Sequence, residues 1–187
     1  DLYASLYDES LGFLSSFEKD EILKMFRDLK GKKILDLGCG TGRLIRDIRN
    51  YGGTVVAADI SEEMLKIVEK KYPDVERVCA DAKNLPFNEG EFDVVVASFL
   101  IVHLKTLEQV FAEVYRVLKD GGIFIVTNIN QRKAPKLKIK GCDKIVITSY
   151  YHRPQDVVKA LEGALFNIEK EKFVKEGNVW INQIVKA

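Results

Sequence analysis

The chain has 187 residues, of which 47% are hydrophobic and 30% are charged, a composition typical of a globular domain in water. Its 29 Lys and Arg residues nearly balance its 28 Asp and Glu residues, so the net charge gives no general attraction to nucleic acid, and only a local basic patch would do so. The sequence contains no run of 18 apolar residues, and we therefore predict no membrane-spanning helix. The three cysteines are widely spaced and odd in number, which favours a reduced, cytoplasmic protein over a disulfide framework or a metal site.

From Lys33 onward, short β-rich segments alternate with longer amphipathic segments, which is the pattern of βα units around a parallel sheet. We predict an α/β fold with a doubly wound, mostly parallel sheet of seven strands and helices on both faces. The predicted strands are Lys33–Leu37, Thr54–Asp59, Val75–Ala80, Phe92–Ser98, Gly122–Ile129, Lys144–Thr148 and Val179–Val185. The predicted helices are Asp20–Leu29, Gly42–Asn50, Ser61–Tyr72 with Ser61 as N-cap, Thr106–Leu118 and Arg153–Leu165.

The most informative segment is a strand that runs into a glycine-rich turn. It reads Ile34-Leu35-Asp36-Leu37-Gly38-Cys39-Gly40-Thr41-Gly42. Glycine permits unusual backbone angles and close approach of a ligand, and the N-terminus of a following helix offers N–H groups to a polar ligand. The segment therefore predicts a nucleotide-like ligand. A dinucleotide site requires the spacing G-x-G-x-x-G, but Arg43 stands at the third glycine position, which disfavours an NAD(P)-dependent oxidoreductase.

The segment instead resembles the D/E-x-G-x-G-x-G motif of class I S-adenosylmethionine-dependent methyltransferases, with Asp36 at the acidic position. Further segments are similar to this family in the same order along the chain: Asp59 at the end of the second strand, Asp81-Ala82 after the third, Glu91–Ser98 at the fourth, and Leu118–Ile125 before the fifth, with Asp120 in place of the usual proline. The opening Leu2–Asp8 resembles the branch that includes ubiquinone and menaquinone biosynthesis methyltransferases.

The resemblance implies a Rossmann-like methyltransferase fold that binds S-adenosylmethionine and releases S-adenosylhomocysteine. Asp59 is then expected to accept the ribose hydroxyls and Asp81 the adenine amino group. The other expected cofactor-binding residues are Tyr7, Asp36, Gly38, Cys39, Gly40, Thr41, Gly42, Ile60, Met64, Ala82, Ser98 and Phe99. Residues 1–187 are expected to form one methyltransferase domain, with a helical flank (1–30), a cofactor-binding core (31–130) and a substrate-side region (131–187).

Methyl transfer from a sulfonium is an in-line displacement, so a protein accelerates it by aligning the reactants and excluding water, without a metal. An acceptor that loses a proton needs a base, and His103, just past the fourth strand, is the candidate. A role in lining the cofactor pocket is the alternative for His103. His152, beside two tyrosines, is expected in a loop before the last helix.

Several alternatives stay open at this point. A small-molecule acceptor is expected because the sequence shows no appended RNA-binding module. RNA, including tRNA, is the second candidate acceptor, supported only by the basic segment Lys133–Lys140. A third interpretation is a non-catalytic protein that binds the cofactor without turning it over.

Overall fold

The computed structural model describes residues 21–26, 29–129, 136–137, 145–146, 149–174 and 179–186. The strands in this part of the chain are β1 (Lys33–Leu37), β2 (Thr54–Asp59), β3 (Glu76–Cys79), β4 (Phe92–Ser98), β5 (Leu118–Ile129), β6 (Lys136–Leu137), β7 (Ile145–Val146), β8 (Phe166–Val174) and β9 (Val179–Lys186). The helices are α1 (residues 21–25), α2 (Ile45–Asn50), α3 (Glu62–Lys71), α4 (Glu108–Val117) and α5 (Pro154–Gly163), with a 3₁₀ turn at Ile101–His103. No helix among the described residues is long and apolar enough to cross a membrane.

The main sheet of the described chain has the strand order β3-β2-β1-β4-β5-β9-β8. The first five strands in this order are parallel to one another, whereas β9 is antiparallel to both β5 and β8. Chain order reverses between β1 and β4, and ligands of open α/β sheets bind at such a reversal, beside the carboxyl ends of the strands. The predicted Rossmann-like fold, a parallel sheet flanked by helices, is confirmed.

Two hydrophobic cores lie on opposite faces of the sheet. One contains Phe111 of α4 and Leu161 of α5, and the other contains Ile48 of α2 and Val68 of α3. Each of these four side chains is fully buried. The apolar run Val94–Ala97 of β4 is at most 1% exposed, so β4 is a central strand covered on both faces. The rigid centre of the sheet holds the carboxyl ends of β1 and β4 in place.

The structure corrects the membership of the sheet near its C-terminal edge. The sequence predicts a strand at Lys144–Thr148, but β7 pairs with β6 in a separate two-stranded sheet. The strand beside β9 is β8, which the sequence pattern does not indicate because Glu169–Lys172 is a run of charges. These charged residues are exposed, as is common at the edge of a sheet, where charge opposes pairing with another chain.

Several element boundaries also differ from the predictions. β3 is one residue shorter at each end than Val75–Ala80. β5 begins at Leu118 instead of Gly122 because residues 119–122 bulge out of its pairing with β4. Both α4 and α5 are shorter than predicted. The predicted N-cap is confirmed, since Ser61 Oγ accepts the N–H of Met64 at 3.3 Å.

Candidate functional site

A cleft of about 390 Å³ opens at the carboxyl ends of β1, β2, β3 and β4. This volume is within the range of about 300–1,000 Å³ that small-molecule sites usually occupy. The residues that line the cleft lie at the ends of these four strands or in the segments that come next: Leu37, Gly38, Gly40, Asp59, Ile60, Ser61, Met64, Ala80, Asp81, Ala82, Lys83, Ser98, Phe99, Leu100, His103 and Leu104. The cleft therefore lies where the strand order predicts a ligand.

The glycine-rich turn after β1 folds back onto β2. The N–H groups of Gly38 and Cys39 both donate to the carbonyl of Ala58, at 2.8 and 3.1 Å. Gly38 has a φ of 69°, which is in the left-handed region that favours glycine. A Cβ on Gly38 would lie 2.8 Å from Leu100 Cδ1, so this position needs glycine for its packing as well as for its backbone.

The turn also corrects one expectation about the ligand contacts. The sequence predicts a helix from Gly42 whose first N–H groups face a ligand, but α2 begins at Ile45. Gly42 has a φ of 80°, which is incompatible with a right-handed helix. The N–H groups of Gly38, Cys39 and Gly40 all donate within the chain. These three N–H groups are therefore already satisfied by partners in the chain.

Asp59, the last residue of β2, connects this turn to the start of α3. Its Oδ2 accepts the N–H of Gly40 at 2.8 Å, and its Oδ1 accepts the N–H of Ser61 at 2.9 Å. An ionised carboxylate offers about four lone-pair sites, so each oxygen retains capacity for a donor in the cleft. Asp59 thus lines the cleft with acceptor capacity left for a ligand. It also anchors the loop, a second role that its sequence position does not reveal.

The wall next to Asp59 combines an exposed apolar surface with a second carboxylate. Ile60 is 70% exposed although it is a large aliphatic residue, and Met64 lines the same cleft. Asp81 Oδ1 accepts the N–H of Lys83 at 2.9 Å, and Ala82 is buried beside it. An apolar face next to a hydrogen-bond acceptor is suited to a flat heterocycle that carries an amino group.

The wall of the cleft at the end of β4 contains Phe99, which has an unusual backbone conformation. Its φ of 55° is left-handed, which costs a non-glycine residue about 1–3 kcal/mol and persists only where neighbouring groups enforce it. The N–H of Phe99 donates to the buried Thr127 Oγ1 at 3.1 Å. The guanidinium of Arg43 lies 5.6 Å from the centroid of the Phe99 ring and also donates to Ser98 Oγ. Arg43 therefore helps to hold this wall, a function that sequence reasoning missed.

The two histidines lie in different places. His103 is exposed on the 3₁₀ turn and lines the cleft. His152 precedes α5, as predicted, and does not line the cleft. Its Nε2 lies 2.8 Å from the carbonyl oxygen of Leu104, and since a carbonyl oxygen only accepts, Nε2 carries the proton. With the bond from Tyr150 N–H to the carbonyl of Val102 at 2.7 Å, this contact attaches the loop to the turn that carries His103.

Some predicted cofactor-binding residues lie beneath the cleft. Asp36 is 2% exposed, Cys39 is 7% exposed and Thr41 is fully buried, and Gly42 is also buried. Burial raises the pKa of the Cys39 thiol well above its ordinary value, and the charges of Asp36 and Asp59 add to this effect, so the thiol is not a reactive thiolate. Tyr7 and the motif Leu2–Asp8 lie outside the described residues.

The fold and the cleft define a Rossmann-like protein with a small-molecule-sized cleft at the switch point of its sheet. Residues 35–126 match a family model described as a methyltransferase domain. A demethylmenaquinone methyltransferase of Paenarthrobacter aurescens is 34% identical over 105 residues, which cover 56% of this chain and 42% of that protein. An uncharacterized protein of Methanocaldococcus jannaschii is 34% identical over 170 residues, which cover 89% of this chain and 64% of that protein. The chain thus spans less than two thirds of the length of either relative.

Among solved structures, an S-adenosylmethionine-dependent methyltransferase from Mesorhizobium loti has the same fold. The TM-score is 0.74 at 18% sequence identity, and the alignment covers 88% of this chain and 95% of that chain. Residues 35–126 of the chain are thus similar to a methyltransferase domain, and the chain shares the fold of a solved S-adenosylmethionine-dependent methyltransferase.

Proposed function

We propose that this chain binds S-adenosylmethionine in the cleft and transfers its methyl group to a small-molecule acceptor. The observation that carries the proposal is that one cleft at the switch point of the sheet is lined by Asp59, Ile60 and Asp81 after β2 and β3 and by Phe99 and His103 after β4. The family match over residues 35–126 supports the same reaction. Residues 31–130 are then the cofactor-binding core.

The side chains of the cleft fit this cofactor by their chemistry. Asp59 accepts from the two ribose hydroxyls with the lone pairs that Gly40 and Ser61 leave unused. Ile60 and Met64 cover a face of the adenine ring, and Asp81 accepts from its amino group. The cofactor, when bound, supplies a methyl group on a positively charged sulfonium whose leaving group is a neutral thioether.

The chain contributes alignment, exclusion of water and, for some acceptors, a proton acceptor. Phe99, held by Thr127 and Arg43, forms a fixed wall at the end of β4. Such a wall aligns the reactants before the reaction, and this lowers the entropic part of the barrier to an in-line displacement. Leu100 and Leu104 line the same region and exclude water from it. The imidazole of His103 accepts the proton of an acceptor hydroxyl, amine or acidic carbon.

A small-molecule acceptor is favoured by the name of the relative from Paenarthrobacter aurescens, which specifies a demethylated quinone for that protein. RNA has its sequence support in Lys133–Lys140, of which only Lys136 and Leu137 are among the described residues. We place the protein in the cytoplasm, because Cys39 and Cys79 are free thiols and free thiols persist in a reducing compartment.

The first experiment is calorimetric titration of the protein with S-adenosylmethionine, S-adenosylhomocysteine and NADH. We expect binding of the first two and none of NADH. Binding of NADH alone, or of none of the three, would refute the proposal. The protein and a radiolabelled methyl donor are then incubated with a metabolite extract and, separately, with total RNA. Label found only in the RNA would show that the acceptor is RNA and not a small molecule. Tight cofactor binding with no transfer to either would favour a non-catalytic protein.

The role of His103 is tested by His103→Gln, which keeps a polar side chain but removes the base. We expect a loss of about 10²–10⁴-fold in kcat for an acceptor that must lose a proton and an unchanged affinity for S-adenosylhomocysteine. The matched control is His152→Gln, since His152 contacts the same turn but not the cleft. Equal losses in the two variants would show that His103 acts only through the structure of the turn.

A further inference from the structure

The segment between β3 and β4 carries Asp81, the proposed adenine contact, and has no regular secondary structure. Residues 80–91 form neither helix nor strand, yet Asp81, Ala82 and Lys83 line the cleft. Backbone N–H and C=O groups in such a segment need partners from elsewhere in the chain. The position of Asp81 therefore depends on the groups that form hydrogen bonds with the rest of this segment.

Two side chains of α4 supply several of these partners. Arg116 donates from Nη2 to the carbonyl of Leu85 at 2.9 Å and from Nη1 to the carbonyl of Phe87 at 2.8 Å. Glu113 Oε2 accepts the N–H of Leu85 at 2.8 Å. Three backbone groups within three residues of the segment are thus bonded to one pair of charged side chains.

The pair is rigid because its members are also bonded to each other. Arg116 Nε donates to Glu113 Oε1 and Arg116 Nη2 to Glu113 Oε2, both at 2.8 Å. The hydrogen bond with Arg116 lowers the pKa of Glu113 and that with Glu113 raises the pKa of Arg116, so both are charged near neutral pH. Their side chains are 18% and 34% exposed, which limits competition from water.

Gln109 extends the same stripe of α4, since residues 109, 113 and 116 follow the spacing of one helix face. Its Nε2 donates to the carbonyl of Lys83 at 3.2 Å. A different face of α4 is anchored in the core by Val110, Phe111 and Val114. The stripe is therefore a fixed surface against which residues 83–87 are held.

We propose that Gln109, Glu113 and Arg116 are positioning residues that hold Asp81 against the adenine ring and so determine the preference of the site for a 6-aminopurine. None of the three lines the cleft, so they act through the segment and not by touching the cofactor. This inference rests on the proposed function, in which Asp81 accepts from the adenine amino group. Replacing a residue of the stripe should weaken the contact of Asp81 with the adenine amino group more than the contacts of Asp59 with the ribose, because Asp59 lies in a different loop.

The test compares S-adenosylhomocysteine with S-inosylhomocysteine, in which oxygen replaces the 6-amino group. A hydrogen bond to a charged acceptor predicts that the wild-type protein prefers the adenine form by about tenfold or more. In Arg116→Met, which keeps most of the side-chain length but removes the guanidinium, we expect the preference to fall to about threefold or less. Arg116→Lys, with fewer donors, should lie between the two.

Lys119→Met is the matched control. Lys119 lies shortly after α4 and bonds to Asp93 Oδ1 of β4 at 2.7 Å, so its loss removes a nearby ion pair without releasing residues 83–87. We expect Lys119→Met to keep the wild-type preference. Hydrogen exchange at the amide of Leu85 should become faster in Arg116→Met and stay unchanged in Lys119→Met.

The outcomes separate this inference from the proposed function. Wild-type protein that binds neither ligand would overturn both. If the wild-type protein binds and Arg116→Met loses affinity for both ligands equally, Glu113 and Arg116 only stabilise the fold, and the inference alone is overturned. The inference alone is also overturned if the wild-type protein binds both ligands with equal affinity. If Arg116→Met does not fold, Gln109→Ala and Glu113→Gln decide, and an unchanged preference in both would overturn the inference.

Discussion

The replacement Asp59→Ala removes the carboxylate that joins three parts of the site. In the structure this carboxylate accepts the N–H of Gly40 in the glycine-rich turn and the N–H of Ser61 at the start of α3. In the proposed complex it also accepts from the ribose. The variant is therefore expected to lose both stability and cofactor affinity, and the two losses are measured separately.

The magnitudes follow from these contacts. A hydrogen bond to a charged group contributes about 1.5–3 kcal/mol, and Asp59 is half-buried, so water can replace part of what the two backbone donors lose. We expect the free energy of unfolding to fall by about 1–3 kcal/mol. Loss of the ribose contact should weaken binding of S-adenosylhomocysteine by about 1.5–3 kcal/mol, or about tenfold to a hundredfold.

Urea denaturation measures the first quantity and calorimetric titration with S-adenosylhomocysteine the second. Asp74→Ala is the matched control, because Asp74 pairs with Arg49 on the surface and does not line the cleft. We expect this control to bind S-adenosylhomocysteine as the wild-type protein does. Unchanged affinity in Asp59→Ala together with reduced stability would refute the ribose role and leave Asp59 as an anchor of the loop.

Two further predictions concern stability. Gly42→Ala should lower the free energy of unfolding by about 1–3 kcal/mol, because Gly42 has a φ of 80° and a Cβ would lie 2.7 Å from Ile45 Cδ1. The control Gly163→Ala, at the end of α5 with nothing within 4 Å of a Cβ, should not lower it. Equal drops in Tm for the two variants would contradict this explanation. The hydrogen bond with Arg116 lowers the pKa of Glu113 from its ordinary 4.5, so the pair stabilises the fold fully above about pH 4.5 and loses this contribution as the pH falls through the lower folded value. The stability difference between wild type and Glu113→Gln in urea should therefore shrink between about pH 7 and about pH 3, and a constant difference would count against the ion pair.

Local patterns in the sequence were sufficient for the elements that form the first half of the sheet. The strands at β1, β2 and β4 have the bounds that their apolar residues predict, because a strand buried on both faces requires a continuous apolar run. The glycines of the turn after β1, the aspartate that ends β2 and the aspartate that follows β3 could also be placed beside one cleft from the sequence, since parallel strands bring their carboxyl ends to the same edge.

Only the tertiary structure decided which segment completes the sheet and how the cleft is supported. The charged strand β8 forms because β9 offers it a paired edge, and no pattern within Phe166–Val174 predicts that partner. Arg43 reaches Ser98 across 55 positions of the chain, and Arg116 reaches Leu85 across 31. Contacts over such separations depend on the packing of whole helices against the sheet, whereas sequence patterns report mainly on neighbours within a turn or a strand.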